Sequence, residues 1–128
     1  MLYMFLLHWN EGNPAVTQDD AIKAHFAFAN EVRAKNAYVF SEALGGTAAA
    51  TTVRVRDGKR MITDGPFAEA KEVMGGFYIL DCKDLDEALE YAARMPDAES
   101  SGVEVRPVMG VPGWDYGSTA RYARQSMG

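Results

Sequence analysis

The stretch Thr63-Asp64-Gly65-Pro66-Phe67-Ala68-Glu69-Ala70-Lys71-Glu72-Val73-Met74-Gly75-Gly76-Phe77-Tyr78 decides how the middle of the chain is read. Asp-Gly-Pro is a turn signal with a mechanism. Asp caps or bends the backbone, Gly tolerates positive φ, and Pro sets the next φ near helical values. A charged run, Glu69 to Glu72, leads to the double glycine and then to an apolar strand over residues 77–81. The order is strand, tight loop, short helical or irregular turn, double glycine, strand. It has two readings: an ordinary connection between strands, or a rigid loop that sets Asp64 and Phe67 over a cleft. Gly75-Gly76 suits close backbone approach better than a phosphate cradle.

Working outward, Asp57-Gly58 is a two-residue hairpin signal between residues 51–56, which alternate, and residues 59–63. Before it, residues 38–44 read as a strand closed by Gly45-Gly46. Thr17 and Asp20 form a capping box that starts a helix over residues 18–35, with Asp19 and Asp20 at its positive end. Its apolar face gathers Ala21, Ile22, Phe28, Ala29 and Val32, with His25 in the middle, and Asn36 closes it. Residues 2–8 are almost continuously apolar, as in a strand buried on both faces. On the other side, Asp84 caps a helix over residues 85–95 with Leu85, Ala88, Leu89 and Ala92 inward, and Pro96 stops it. Residues 103–108 form the last strand, with Val103 and Val105 facing one way and Glu104 and Arg106 the other.

This order, β-α-β, hairpin insertion, β-α-β, predicts an α+β fold of the ferredoxin-like type with both helices on one sheet face. The apolar first strand asks for cover on the second face. An identical sheet from a second copy supplies it most simply, closing a dimeric α+β barrel over an interface of roughly 1,600 Å² or more. The hairpin insertion or the C-terminal segment are the other candidates. The domain is expected over residues 1–110. Residues 111–128 form a tail whose Trp114, Tyr116 and Tyr122 are costly to leave in water, so it docks on the body or on a second subunit.

A chain of 128 residues with 48% apolar content can bury one core. The net charge of −5 argues against nucleic acid and anionic membranes as partners, since both reward clustered Lys and Arg. One cysteine, Cys82, permits no internal disulfide or CxxC motif and fits a cytoplasmic location. Residues 2–7 are too short to span a membrane and lack the basic flank of a signal peptide. There is no P-loop, dinucleotide-binding glycine pattern, GxSxG or metal-ligand spacing, so no cofactor and no metal are expected.

Five residues are candidates for a site. His25 has the pKa range for proton transfer near neutrality, against a core histidine with one satisfied hydrogen bond. His8 ends the first strand on the face of Met4 and Leu6, where it points into a barrel mouth or into solvent. Asp64 is a base, a helix cap or its own turn's acceptor, and a carboxylate gripped by several N–H groups is a poor base. Phe67, like Phe77, is pocket wall or core. Arg106 shares a strand face with Glu104, which it pairs with unless the two bind a charged ligand. Arg54 and Arg56 are read as a solvated hairpin face.

Asp64-Gly65-Pro66-Phe67 with Glu69, Lys71-Glu72, Gly75-Gly76-Phe77, Leu85-Asp86-Glu87-Ala88, Pro96 and Val103-Glu104-Val105-Arg106-Pro107 resembles the YCII-related family, in the branch named for its DGPF motif. The resemblance runs from Leu2 to about Met109. It implies a dimeric α+β barrel of ferredoxin-like protomers with largely unassigned activity. Relatives are often proposed to be small-molecule enzymes built on a His–Asp pair, a view encouraged by fold similarity to muconolactone isomerases. The histidine of the family's first helix falls on His25, and Asp64 is the natural acid in this branch. The branch also occurs with extracytoplasmic-function sigma factors. Two functions are therefore carried forward. One is cofactor-free acid–base chemistry of an isomerase or lyase type on a small molecule. The other is a non-catalytic ligand-binding or regulatory module linked to a sigma factor.

Overall fold

The computed structural model describes residues 1–12 and 16–112, and the tail aromatics Trp114, Tyr116 and Tyr122 lie outside the described residues. The elements run β1 (Leu2–Trp9), α1 (Gln18–Ala34), β2 (Tyr38–Ala43), a 3-10 turn at Thr47–Ala49, β3 (Thr51–Arg56), β4 (Lys59–Asp64), β5 (Val73–Asp81), α2 (Leu85–Arg94), α3 (Pro96–Ser100) and β6 (Gly102–Pro107). Four strands form one antiparallel sheet in the order β2-β5-β1-β6, and β3-β4 stand apart as a two-stranded ribbon. With the ribbon set aside this is the ferredoxin-like order, produced by two split βαβ units.

Local chemistry sets the boundaries. Thr17 accepts a hydrogen bond from the Asp20 backbone N–H at 3.1 Å, and the Asp84 carboxylate accepts from Glu87 N–H at 2.9 Å, each filling an orphan donor at a helix start. Asn36, at φ 57°, turns the chain out of α1. Asp57 and Gly58 carry φ of 50° and 75°, the paired positive values of a tight hairpin.

β1 is the centre of the sheet. Tyr3, Phe5 and Leu7 face the helices and pack with Phe28, Ala29 and Val32 of α1, Ala88 and Tyr91 of α2, and Leu80 of β5. The inward side of α2 is Ala88, Tyr91 and Ala92 rather than the expected stripe, and Leu85 and Leu89 stay exposed. The other sheet face has no helix. It carries Met4 and Leu6 beside Phe77 and Ile79 of β5 and Phe40 of β2, with Phe40 and Phe77 ring centroids 6.0 Å apart.

The middle stretch departs from expectation at the double glycine. β5 begins at Val73, so the double glycine lies inside the strand. A Cβ on Gly76 would sit 2.9 Å from the Glu42 carbonyl oxygen, and one on Gly75 would sit 3.0 Å from the Trp9 indole, so close backbone approach is what both positions need. Pro96 does end α2, but it also occupies the first turn of α3, where a missing N–H costs nothing. That short helix is what brings Asp97 to the site.

Candidate functional site

A cavity of about 380 Å³ opens between α1, the β2–β5 edge and α3. Its apolar wall includes Leu7, Ala21, Ile22, Phe26 and Ala29, and its polar groups include His25, Arg33, Ser41, Tyr78 and Asp97. The Thr17 cap fixes where α1 starts, and α1 then presents Ile22, His25, Phe26, Ala29 and Arg33 along one side at intervals of three and four. Ile22, expected in the core, is 46% exposed, and Phe26 is 65% exposed, because both border this opening. At the end of β1, Glu11 accepts from Thr47 N–H at 2.9 Å and from the Thr47 hydroxyl, which ties the loop after β2 beside Gly46. These two bonds hold the Glu11 carboxyl below its ordinary range.

His25 sits between two partners. Its Nε2 lies 2.6 Å from Asp97 Oδ1, and its Nδ1 lies 3.0 Å from the Tyr78 hydroxyl. The imidazole also stacks on the Tyr78 ring with centroids 5.8 Å apart, while Phe28 meets that ring edge-on at 5.3 Å. A carboxylate only accepts, so the hydrogen-bond network places a proton on Nε2. Nδ1 of the neutral ring is then the acceptor for the Tyr78 O–H. Burial, with the Asp97 charge second, pushes the Tyr78 phenol up to about 12, so it stays protonated near neutrality.

The other four sequence candidates are elsewhere. Asp64 ends the exposed strand β4, opposite Thr51, and its carboxylate makes no hydrogen bond or ion pair among the described residues. The acid that meets His25 is Asp97, a correction to the expected pairing with Asp64. The turn itself is held by Gly65 N–H donating to Ala50 carbonyl at 2.8 Å, and Gly65 has φ 113°, a backbone state that glycine alone adopts readily. The motif therefore secures a hairpin exit and does not form a lid over the cavity. Phe67 is 75% exposed and lies under the Arg54 guanidinium at 4.8 Å, and Arg54 also donates to the Phe67 carbonyl at 3.2 Å. His8 and Arg106 lie on the helix-free face. His8 Nε2 is 3.8 Å from Glu104, whereas Arg106 stands opposite Met4 and does not pair with Glu104.

Sequence reasoning missed Asp97 and Tyr78. Tyr78 stood at the end of the motif stretch with nothing to mark its hydroxyl. Asp97 follows a proline read as a stop, and Pro-Asp is equally a helix start, which was the available signal. Among the described residues, no group of three or more His, Cys, Asp and Glu is placed to hold a metal ion, and no helix is long and apolar enough to cross a membrane. Cys82 is buried, and burial lifts its thiol to about 12, which makes it a packing residue.

Three comparisons bear on this arrangement. Among solved structures, the 5-chloro-2-hydroxyhydroquinone dehydrochlorinase TftG from Burkholderia phenoliruptrix AC1100, in complex with 2,5-dihydroxybenzoquinone, aligns over 90% of this chain and 100% of its own, with a TM-score of 0.57 and 17% identity. That likeness shows the fold. An uncharacterized protein, R00369, of Rhizobium meliloti (strain 1021) is 48% identical over 64 residues, or 48% of this chain and 52% of that protein. The chain thus spans about half the length of the curated relative it matches. The model of the YCII-related domain matches residues 1–112, a span that takes in all of the described residues, and the protein belongs to the YCII-related domain family.

Proposed function

We propose that the cavity is a small-molecule site for cofactor-free acid–base chemistry, an isomerase-like or lyase-like proton transfer. One observation carries the reading: His25 is held between Asp97 and Tyr78 in the wall of a cavity of small-ligand size. The proton path runs through the phenol. As Tyr78 takes a proton from the ligand, it passes its own to Nδ1, so no phenolate is formed. The imidazolium that results keeps Nε2–H on Asp97, whose negative charge stabilises it. Running the steps backwards returns the proton to another atom of the ligand or to water. The dehydrochlorinase of similar fold acts on a small ring compound, which suggests ring compounds among the first probes.

The reading includes a homodimer. The helix-free sheet face presents Met4, Leu6, Phe40, Phe77 and Ile79, an apolar surface that a second copy would cover. Sedimentation at micromolar concentration is expected to give the mass of two chains, and a monomer would remove this part.

A second reading keeps the cavity and drops the turnover: a ligand-sensing module working with an extracytoplasmic-function sigma factor. The observation in its favour is that both His25 ring nitrogens already have partners within the protein. Incubation with lactones and small ring acids in D2O separates the two. Incorporation of solvent deuterium beside a carbonyl, followed by NMR, is expected for the catalyst. Saturable binding without exchange by any probe would favour the sensor.

A further inference from the structure

We infer that the polar end of the cavity is an anion subsite built on Arg33, and that the cavity takes small organic monocarboxylates with an apolar, ring-sized body. This deepens the reading above and rests on the same cavity. Arg33 lines the opening from the last turn of α1. Its guanidinium lies over the Tyr38 ring, 4.3 Å from the centroid, and the Tyr38 hydroxyl is fixed in turn by Ser41 Oγ at 2.7 Å. The ring holds the guanidinium in place from one side, and a guanidinium so held matches a carboxylate with two parallel hydrogen bonds.

The carboxylates that would otherwise neutralise Arg33 are occupied or turned away. Glu31, two residues before it, is engaged by Lys35 at 3.5 Å and by Arg94. Asp97 is engaged by His25. Glu42 also borders the cavity, but it stands opposite Phe77, so strand alternation turns its side chain to the face away from Ser41 and Tyr78. Among the described residues no carboxylate lies within ion-pair distance of Arg33. Arg33 lines the same cavity as His25, Tyr78 and Asp97. The exposed apolar side chains Ile22 and Phe26 border the same opening and would be covered by the body of such an acid.

The test uses benzoate and its neutral isostere benzamide, titrated against the full chain and followed by NMR. Benzoate is expected to bind about tenfold or more tighter than benzamide, the range of a charge-assisted hydrogen-bonded contact. Arg33→Gln is expected to bring benzoate down to the benzamide level, and Arg33→Lys to keep part of the preference. Arg56→Gln, which removes a cation on the β3–β4 hairpin outside the cavity, is expected to keep the preference in full. Equal affinity of the two probes, a preference that survives in Arg33→Gln, or a preference lost in Arg56→Gln would each overturn the assignment. The two proposals fail separately: absence of deuterium exchange by any compound sinks the acid–base reading and leaves the benzoate preference standing.

Discussion

Replacing His25 with alanine is expected to abolish deuterium exchange while leaving the fold in place, a loss of about 10²–10⁴-fold, the usual share of a positioned acid–base group. The fold should survive because His25 is only partly buried on the surface of α1 and alanine is the strongest helix former. What the variant loses is the ring that joins Asp97 to Tyr78. Tyr78 keeps its place through Phe28 and the core, and its hydroxyl then faces a cavity that water can enter. Circular dichroism is expected to match the parent. His25→Gln serves as a second variant, because it preserves hydrogen bonding without a titratable nitrogen. A folded variant that exchanges at the parent rate would remove His25 from the chemistry.

Ile79→Arg is expected to turn the proposed dimer into a monomer. Ile79 lies on β5, on the face without helices, where Met4 is its neighbour on β1 and Phe40 its neighbour on β2. In an interface of standard size, roughly 1,600 Å², a central guanidinium would have to leave water among apolar side chains. The dissociation constant should rise by about 100-fold or more, since burying an unpaired charge costs several kcal/mol and each 1.4 kcal/mol is tenfold. The monomer core lies on the opposite side of the sheet, at Tyr3, Phe5 and Leu7, so far-UV dichroism should be retained. Sedimentation of the variant reads the result, and an unchanged dimer would place the interface on another surface.

How much of this was legible follows from the range of each signal. The helix starts at Thr17 and Asp84 and the hairpin at Asp57-Gly58 are chemistry between neighbours, and all three stand where the residues place them. The strand order follows from connection rules once the elements are in place. The acid of the site has no such local mark. Asp97 is 72 residues from His25 in the chain and sits on a helix of five residues, too short to show a period. Asp64 drew attention because its turn is distinctive, yet what makes it distinctive is the positive φ of Gly65 and a backbone hydrogen bond to Ala50. Ile22 shows another limit: an apolar residue at helical spacing reads the same whether it faces the core or lines a ligand cavity. The inward face of α2 was misjudged because Tyr91, with its polar end, was left out and Leu89 was included.

The most direct test compares Asp97→Asn with Asp64→Asn in the same exchange assay. Asparagine keeps the shape of each side chain and removes its charge, so packing is preserved at both positions. If His25 and Asp97 form the working pair, Asp97→Asn loses about 100-fold or more of the exchange rate, because the imidazolium is left without its counter-charge. Asp64→Asn then retains the parent rate, as asparagine suits the same turn. The reverse pattern, loss at Asp64 with full activity at Asp97, would contradict the account and return the function to the DGPF loop.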